Sequence, residues 1–437
     1  MLPVTRLASI AMLGVFLFFA ETAMGKIWYV GGSGSDFVEI RDAVAVAQDG
    51  DIIMVRPGSY QPFELLRGVM IKASSTQFTV TGPVSVLSIS AGARGGIAGM
   101  RITYALAASD CAGELVLEDI FVDPPYTCDL ETLPEHYLEI VRCDNVSLHN
   151  FSHSTPECWG YPLDTGITPV RIASSTIRMS DVTAVGGNGA HMFPKPDPGA
   201  DGISAEDSVL VLAHHVSITG GDGCREFWEG TGGDGGDGIS ALASSHVIIL
   251  GDEVDRIRGG DGGRGGDYMG MGGDGGHGIR VSDEGDAVVS RVTLEGGEGG
   301  AGMGGSPDGA PGLPAVGNVR FDHRFPFLEL TSLSPGVALQ VTVESRPEHG
   351  VVVLLVAECS GFIENPQILG PPLSVTPGGY FFTLPIGHTD ADNRVTVGTS
   401  FPSDPSLQGF VVNLQAVVLA DSGLRLLTNA ISRVVSE

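Results

Sequence analysis

The sequence predicts an all-β protein: a right-handed parallel β-helix, or solenoid, with glycine-rich loops, followed by a small β-sandwich. Three observations point there. Strand-sized apolar segments recur about every 20 to 30 residues without the two-residue Asn-Gly or Asp-Gly loops that join hairpins. A tripeptide centred on glycine recurs between residues 165 and 313. Glycine clusters end near Phe321, beyond which apolar strands alternate with proline turns.

The chain opens with the features of a secretory signal: Arg6, an apolar run from Leu7 to Ala20, and small residues at Ala23 and Gly25. The run is short for a membrane span, and Ala23-Met24-Gly25 suits signal peptidase. Residues 1–25 are therefore expected to be removed, leaving Lys26 to begin a secreted, extracellular or cell-surface chain. With 24 Lys+Arg against 52 Asp+Glu, the net charge of -28 argues against nucleic acid or an anionic membrane as partner and favours cations.

All six cysteines follow the expected cleavage site, in a chain bound for an oxidising compartment, so disulfides are plausible. Cys111, Cys128, Cys143 and Cys158 lie close together and allow three pairings; Cys111 with Cys128 and Cys143 with Cys158 are the local choice, leaving Cys224 and Cys359 free. No Cys-x-x-Cys pair occurs and no histidine follows a cysteine at zinc-finger spacing, so a structural zinc has no support.

Expected strands in the first part of the chain are Val69 to Lys72, Val84 to Ile89, Gly99 to Thr103, Leu115 to Val122, Leu138 to Val141 and Asn145 to Leu148. Then Thr165-Gly166-Ile167, Asp201-Gly202-Ile203, Asp237-Gly238-Ile239, His277-Gly278-Ile279 and Pro311-Gly312-Leu313 mark equivalent points at intervals of 36, 36, 40 and 34 residues. Each unit reads as a strand-bearing coil followed by an extruded glycine-rich loop that absorbs the length variation. The longest loop has glycine at twelve of the twenty positions from Gly259 to Gly278, so it is either disordered or able to lie close to its neighbours. Residues 26–320 are assigned to the solenoid and residues 327–437 to the sandwich.

Residues 40–60 supply the most recognisable local pattern. Ile40, Ala43, Val44 and Ala47 form an apolar face at helical spacing, Asp49-Gly50-Asp51 ends the helix, Ile52 to Val55 is β-rich, and Pro57-Gly58 turns the chain before Tyr60. This resembles the amino-terminal cap and first coil of the pectate-lyase-like β-helix superfamily. The resemblance implies a helix plugging the open end of the solenoid, where apolar interior and unpaired edges would otherwise be exposed. Residues 403–431 look like the closing module of many large secreted bacterial proteins, which implies an accessory domain and no particular activity.

Stacked coils would align Asp201, Asp237 and His277 in a row. Two carboxylates and an imidazole at coil spacing can serve as general acid and base on a glycosidic bond; equally, they can hydrogen-bond the turn that feeds each strand. Gly276-His277-Gly278 resembles a polygalacturonase motif, but the companion Asn-Thr-Asp, Asp-Asp and Arg-Ile-Lys elements of that family are missing. A lyase reading has no arginine motif around Arg171, Arg178, Arg256 or Arg258 and rests on fold analogy alone.

Calcium is the one cofactor the pattern suggests. Gly232 to Ser240 fits the nonapeptide of calcium-binding β-rolls once, although Arg264 and His277 replace the ligand Asp in the related runs; Asp222, Asp234, Asp237, Asp261 and Asp274 are the candidate ligands. His214-His215 reads as one inward and one outward side chain of a strand, so a joint metal role is not expected. Asn145-Val-Ser147 and Asn150-Phe-Ser152 fit the glycosylation pattern. The leading expectation is a non-catalytic protein whose stacked face binds an extracellular polysaccharide or surface partner, and the rival is a polysaccharide lyase or glycoside hydrolase.

Overall fold

The computed structural model describes residues 25–74, 77–123, 134–153, 166–189, 191–192, 195–226, 230–251, 254–322, 325–330, 338–345, 350–363, 373–400, 411–422 and 424–435. The expected signal segment, Thr165, Cys128 and Cys158 lie outside them. The described chain is all-β apart from the helix Ile40–Val46. Among the described residues no helix is long and apolar enough to cross a membrane.

Two long parallel sheets account for residues 27–321. The chain visits them in alternation: Glu114–Val122 lies in the first, Leu138–Val141 in the second, Asn145–His153 in the first and Val170–Ala173 in the second. Each pass pairs with the pass before it, parallel and in register, as in Leu115 with Val146 and then Val146 with Ile177. Period-two alternation aims Leu115 and Leu117 inward with Val146, Leu148 and Phe151, and from the second sheet Leu138 and Ile140 join the same core. The short helix adds Ile40, Ala43 and Val44 to that core, as its spacing predicts. Asp51 anchors this end by accepting the Lys26 N–H (2.7 Å), the Gln48 N–H (2.9 Å) and the Trp28 indole N–H (2.9 Å).

Turns between the sheets carry their own ladder. The Cys143 N–H donates to Ser175 Oγ (3.0 Å), the Ser175 N–H to Ser208 Oγ (3.1 Å) and the Ser208 N–H to Ser245 Oγ (3.3 Å), so each buried turn is closed by the next pass. Cys111 precedes Cys143 in this column, and the two buried thiols are free and bonded to each other. The expected local pairs, Cys111 with Cys128 and Cys143 with Cys158, are therefore not formed. Register, not sequence proximity, decides which cysteines meet.

The glycine-rich stretches are a packed layer rather than extruded loops. One continuous series of backbone bonds runs from the Gly221 N–H to Ala200 O, Gly236 to Gly221, Gly260 to Gly236, Gly276 to Gly260, Gly297 to Gly276 and Gly312 to Gly297, all at 2.8–2.9 Å. Glycine is required by close approach: a Cβ on Gly236 would lie 2.1 Å from Ala200 O, and one on Gly260 would lie 1.9 Å from Gly221 O. Here backbone bonding and dense packing replace the apolar core that such a sequence cannot supply.

This layer also explains a departure from the expected repeat. Ile203, Ile239 and Ile279 pair in register, so their three markers align. Ile279 pairs onward with Ala315, two residues past Leu313, and Ile203 pairs back to Val170, three past Ile167. Gly312 and Gly166 belong instead to the glycine layer, where the Gly312 N–H meets Gly297 O and the Gly166 N–H meets Asn188 O. The same Gly-centred tripeptide serves two different environments.

Residues 327–435 form two antiparallel sheets. One has the order Phe327–Leu330, Ala338–Glu344, Arg394–Ser400, and the other Leu373–His388, Gly350–Ile363, Val411–Ala420, Arg425–Val434. They share a core that includes Leu328, Val341, Leu354, Val397, Leu414 and Leu426. Its last strands cover the outer face of the first parallel sheet, where Met54, Met70 and Val116 pack on Val411 and Val434. Polar contacts fix the docking: Lys72 Nζ donates to Val435 O, Ser147 Oγ meets Ser432 Oγ at 3.1 Å, and the Val434 N–H donates to Glu118 Oε2 at 2.6 Å. Asn145 is buried here, its Oδ1 accepting from Arg178 (2.8 Å), so this half of the glycosylation pattern is inaccessible.

Substituting Gly260→Ala should destabilise the protein by about 3 kcal/mol or more, because the new methyl meets backbone that cannot yield locally. Gly398→Ala, which meets nothing within 4 Å, should change stability little. Urea unfolding of both variants checks the contrast; equal midpoints would contradict the packed layer.

Candidate functional site

The row expected from the sequence exists, and its side chains point along it. Asp201 Oδ1 accepts the Asp237 N–H (2.9 Å), Asp237 Oδ1 accepts the His277 N–H (2.7 Å), and His277 Nδ1 accepts the Leu313 N–H (2.9 Å). Each residue thus completes the hydrogen bonding of the pass that follows it. Asp237 is buried and paired with Arg280, Nε to Oδ2 2.6 Å. Burial, followed by the negative charge of Asp237, pushes the Asp201 carboxyl up to about 6 despite hydrogen bonds from the Asp237 N–H and Ser240.

The five carboxylates considered for calcium fall into separate columns. Asp222 Oδ1 accepts the Asp261 N–H and Asp261 Oδ1 the Glu298 N–H, both at 2.8 Å. Asp234 Oδ1 accepts the Asp274 N–H (2.8 Å), and Asp274 Oδ1 the Ala310 N–H (2.7 Å). Asp237 stands in the row already described. Burial raises the Asp261 carboxyl, but the Arg258 hydrogen bond and the Glu298 N–H bring it below its ordinary value. Among the described residues these five are not gathered; the one group of three or more ligand-type side chains brought together is Asp181, His214 and His215.

That group overturns the expectation for His214-His215. In the pairing of Thr176–Val185 with Val209–Thr219, Ser180 faces Ala213 and Val182 faces Val216, so a single residue, Asp181, lies opposite two. The extra residue is a bulge that breaks alternation. Both histidines take positive φ (63° and 48°), and their rings stack 3.7 Å apart on the Asp181 side. Earlier passes hold one positive-φ residue at the same bend, Asp119, Asn150 and Asp181. Their spacing of 31 and 31 residues, followed by 33 and 34 to the two histidines, is the signal in the sequence that exposes the insertion.

The second parallel sheet keeps its outer face open, with clean alternation in Val84–Leu87, Leu106–Ser109 and Leu138–Val141. One outward column is Glu64, Ser85, Ala107, Glu139, Arg171, Ser204, Ser240, Arg280. Arg171 bridges Glu139 (2.6 Å) and Glu206 (3.8 Å), and Arg280 links the column to Asp237 and so to the acidic row. At the other end Glu64 and Ser85 line a concavity with Arg41, Leu66 and Arg67.

Comparison of the chain with protein-family models, with curated proteins and with solved structures finds no match.

A carboxyl raised in the fold favours its neutral form, so the stability it confers is complete below its ordinary value and is lost as pH rises through about 6. Asp201→Asn keeps the acceptor for the Asp237 N–H and removes the charge. The variant should exceed the parent in stability by about 1–3 kcal/mol at pH 7.5, with the difference vanishing near pH 4. Urea midpoints across that range check the sign, and a pH-independent difference would contradict it.

Proposed function

We propose that this chain is a secreted or cell-surface protein whose two parallel sheets are faces of one right-handed β-helix of the pectate-lyase-like kind, and that its open face binds an extracellular polysaccharide without cleaving it. The observation that carries the reading is the outward column from Glu64 to Arg280, in register over eight strands. At about 4.8 Å per strand such a column runs roughly 34 Å, the reach of several sugar units. Its guanidinium and carboxylate groups offer paired donors and acceptors to sugar hydroxyls. The first sheet is not available for this purpose, because its outer face packs on Val411 and Val434. A net charge of -28 favours neutral polysaccharides, or uronates bridged by calcium, over free polyanions.

Cleavage of the polysaccharide is the second reading. It is favoured by the Asp201 carboxyl, raised to about 6 by burial and by Asp237, at the edge of the open face. Against it, Asp201, Asp237 and His277 each commit an acceptor atom to the next pass.

Screening the mature chain against neutral glucans, pectins, alginates and glycosaminoglycans, with and without calcium, tests both readings. Binding without product release is expected, weakened about tenfold or more by Arg171→Ala. Product release abolished by Asp237→Ala would replace the binding reading with the enzymatic one, and failure to bind any polysaccharide would remove both.

A further inference from the structure

We propose that Asp181, His214 and His215 form a binding site for a divalent transition-metal ion of the zinc class. One ligand atom from each lies within 4.8 Å of the others. Tetrahedral ligand atoms about 2.0–2.1 Å from a zinc ion stand roughly 3.4 Å apart, so small side-chain rotations close the site. Two imidazoles and one carboxylate suit zinc, copper or nickel and suit calcium poorly, since calcium takes oxygen ligands in greater number. Three protein ligands leave a fourth position for water or an exogenous ligand.

The surroundings sort the two carboxylate oxygens of Asp181 between different tasks. Oδ1 faces the histidine pair, 2.9 Å from His215 Nδ1. Oδ2 lies 2.9 Å from His149 Nδ1 and 3.7 Å from the Arg433 guanidinium. His149 also reaches Ser180 Oγ (3.0 Å), so its ring is fixed from two directions and holds the carboxylate in place. Burial works to raise the Asp181 carboxyl, yet His149, His215 and His214 together bring it well below its ordinary value, keeping it ionised as a ligand must be.

Arg433 is the one positive neighbour that opposes a cation. It approaches the far oxygen, and the carboxylate of Glu118 partly offsets its charge. The His215 side chain is 56% exposed, so an ion can enter without opening the core. The ion replaces any proton held between His215 Nδ1 and Asp181 Oδ1: the metal enters as a dication, the nitrogen lone pair forms the new bond, and the proton leaves to solvent. Affinity should therefore fall as pH drops from 7.5 to 5.5.

The test uses the mature chain without a histidine tag. Zinc is titrated by calorimetry, and cobalt(II) by its visible absorption. One equivalent should bind saturably, with affinity reduced at least tenfold in His215→Gln and in His214→Gln and unchanged in His246→Gln, a surface histidine paired instead with Asp286. Asp181→Asn supplies a third ligand variant, and circular dichroism confirms that each remains folded. Absence of saturable binding in the parent, or equal affinity in the parent and in both His214 and His215 variants, would overturn the proposal. Polysaccharide binding plays no part in this test.

Discussion

Every pass of residues 27–321 is templated by the one before it. Parallel backbone bonding holds the strands in register, and side chains at the turns extend the same relation, as Ser175 does for Cys143 and Asp201 for Asp237. The consequence is a molecule in which columns, rather than loops, are the chemical units. A residue acquires its neighbours from equivalent positions 31 to 40 residues away, and a single insertion changes what a column contains.

The glycine layer shows how far this constraint reaches. A stretch with so little apolar side chain would be disordered if it stood alone, since nothing would offset its conformational entropy. Laid against the same stretch of the next pass, its N–H and C=O groups are satisfied at 2.8–2.9 Å, and the absence of Cβ atoms lets the backbones touch. The acidic residues between the glycines take part: Asp222, Asp234, Asp261 and Asp274 each cap an N–H on the following pass. Their charges then face solvent along one side, which also keeps such flat backbone surfaces from stacking on other copies.

Much of this was legible in the sequence. The helix Ile40–Val46, the strands from Met70 to His153 and the alignment of Asp201, Asp237 and His277 follow from periodicity and repeat spacing. What was not legible depends on register between passes. Pro311-Gly312 matches the marker tripeptide yet belongs to the glycine layer, and Cys111 meets Cys143 because 32 residues separate equivalent turns. His214 and His215 converge only because a bulge interrupts the alternation on which the strand rule rests. Coverage of Met54, Met70 and Val116 could have been suspected from their outward apolar character, since a parallel sheet is rarely left bare.

The stacking of passes through the glycine layer is tested most directly by amide hydrogen exchange at Gly221, Gly236, Gly260, Gly276 and Gly297. These N–H groups bond to the neighbouring arm and should exchange as slowly as those of the strands, for example Leu117 and Leu148. Exchange at the rate of an unstructured chain at these glycines, with the strands protected, would contradict the account and return the region to free loops.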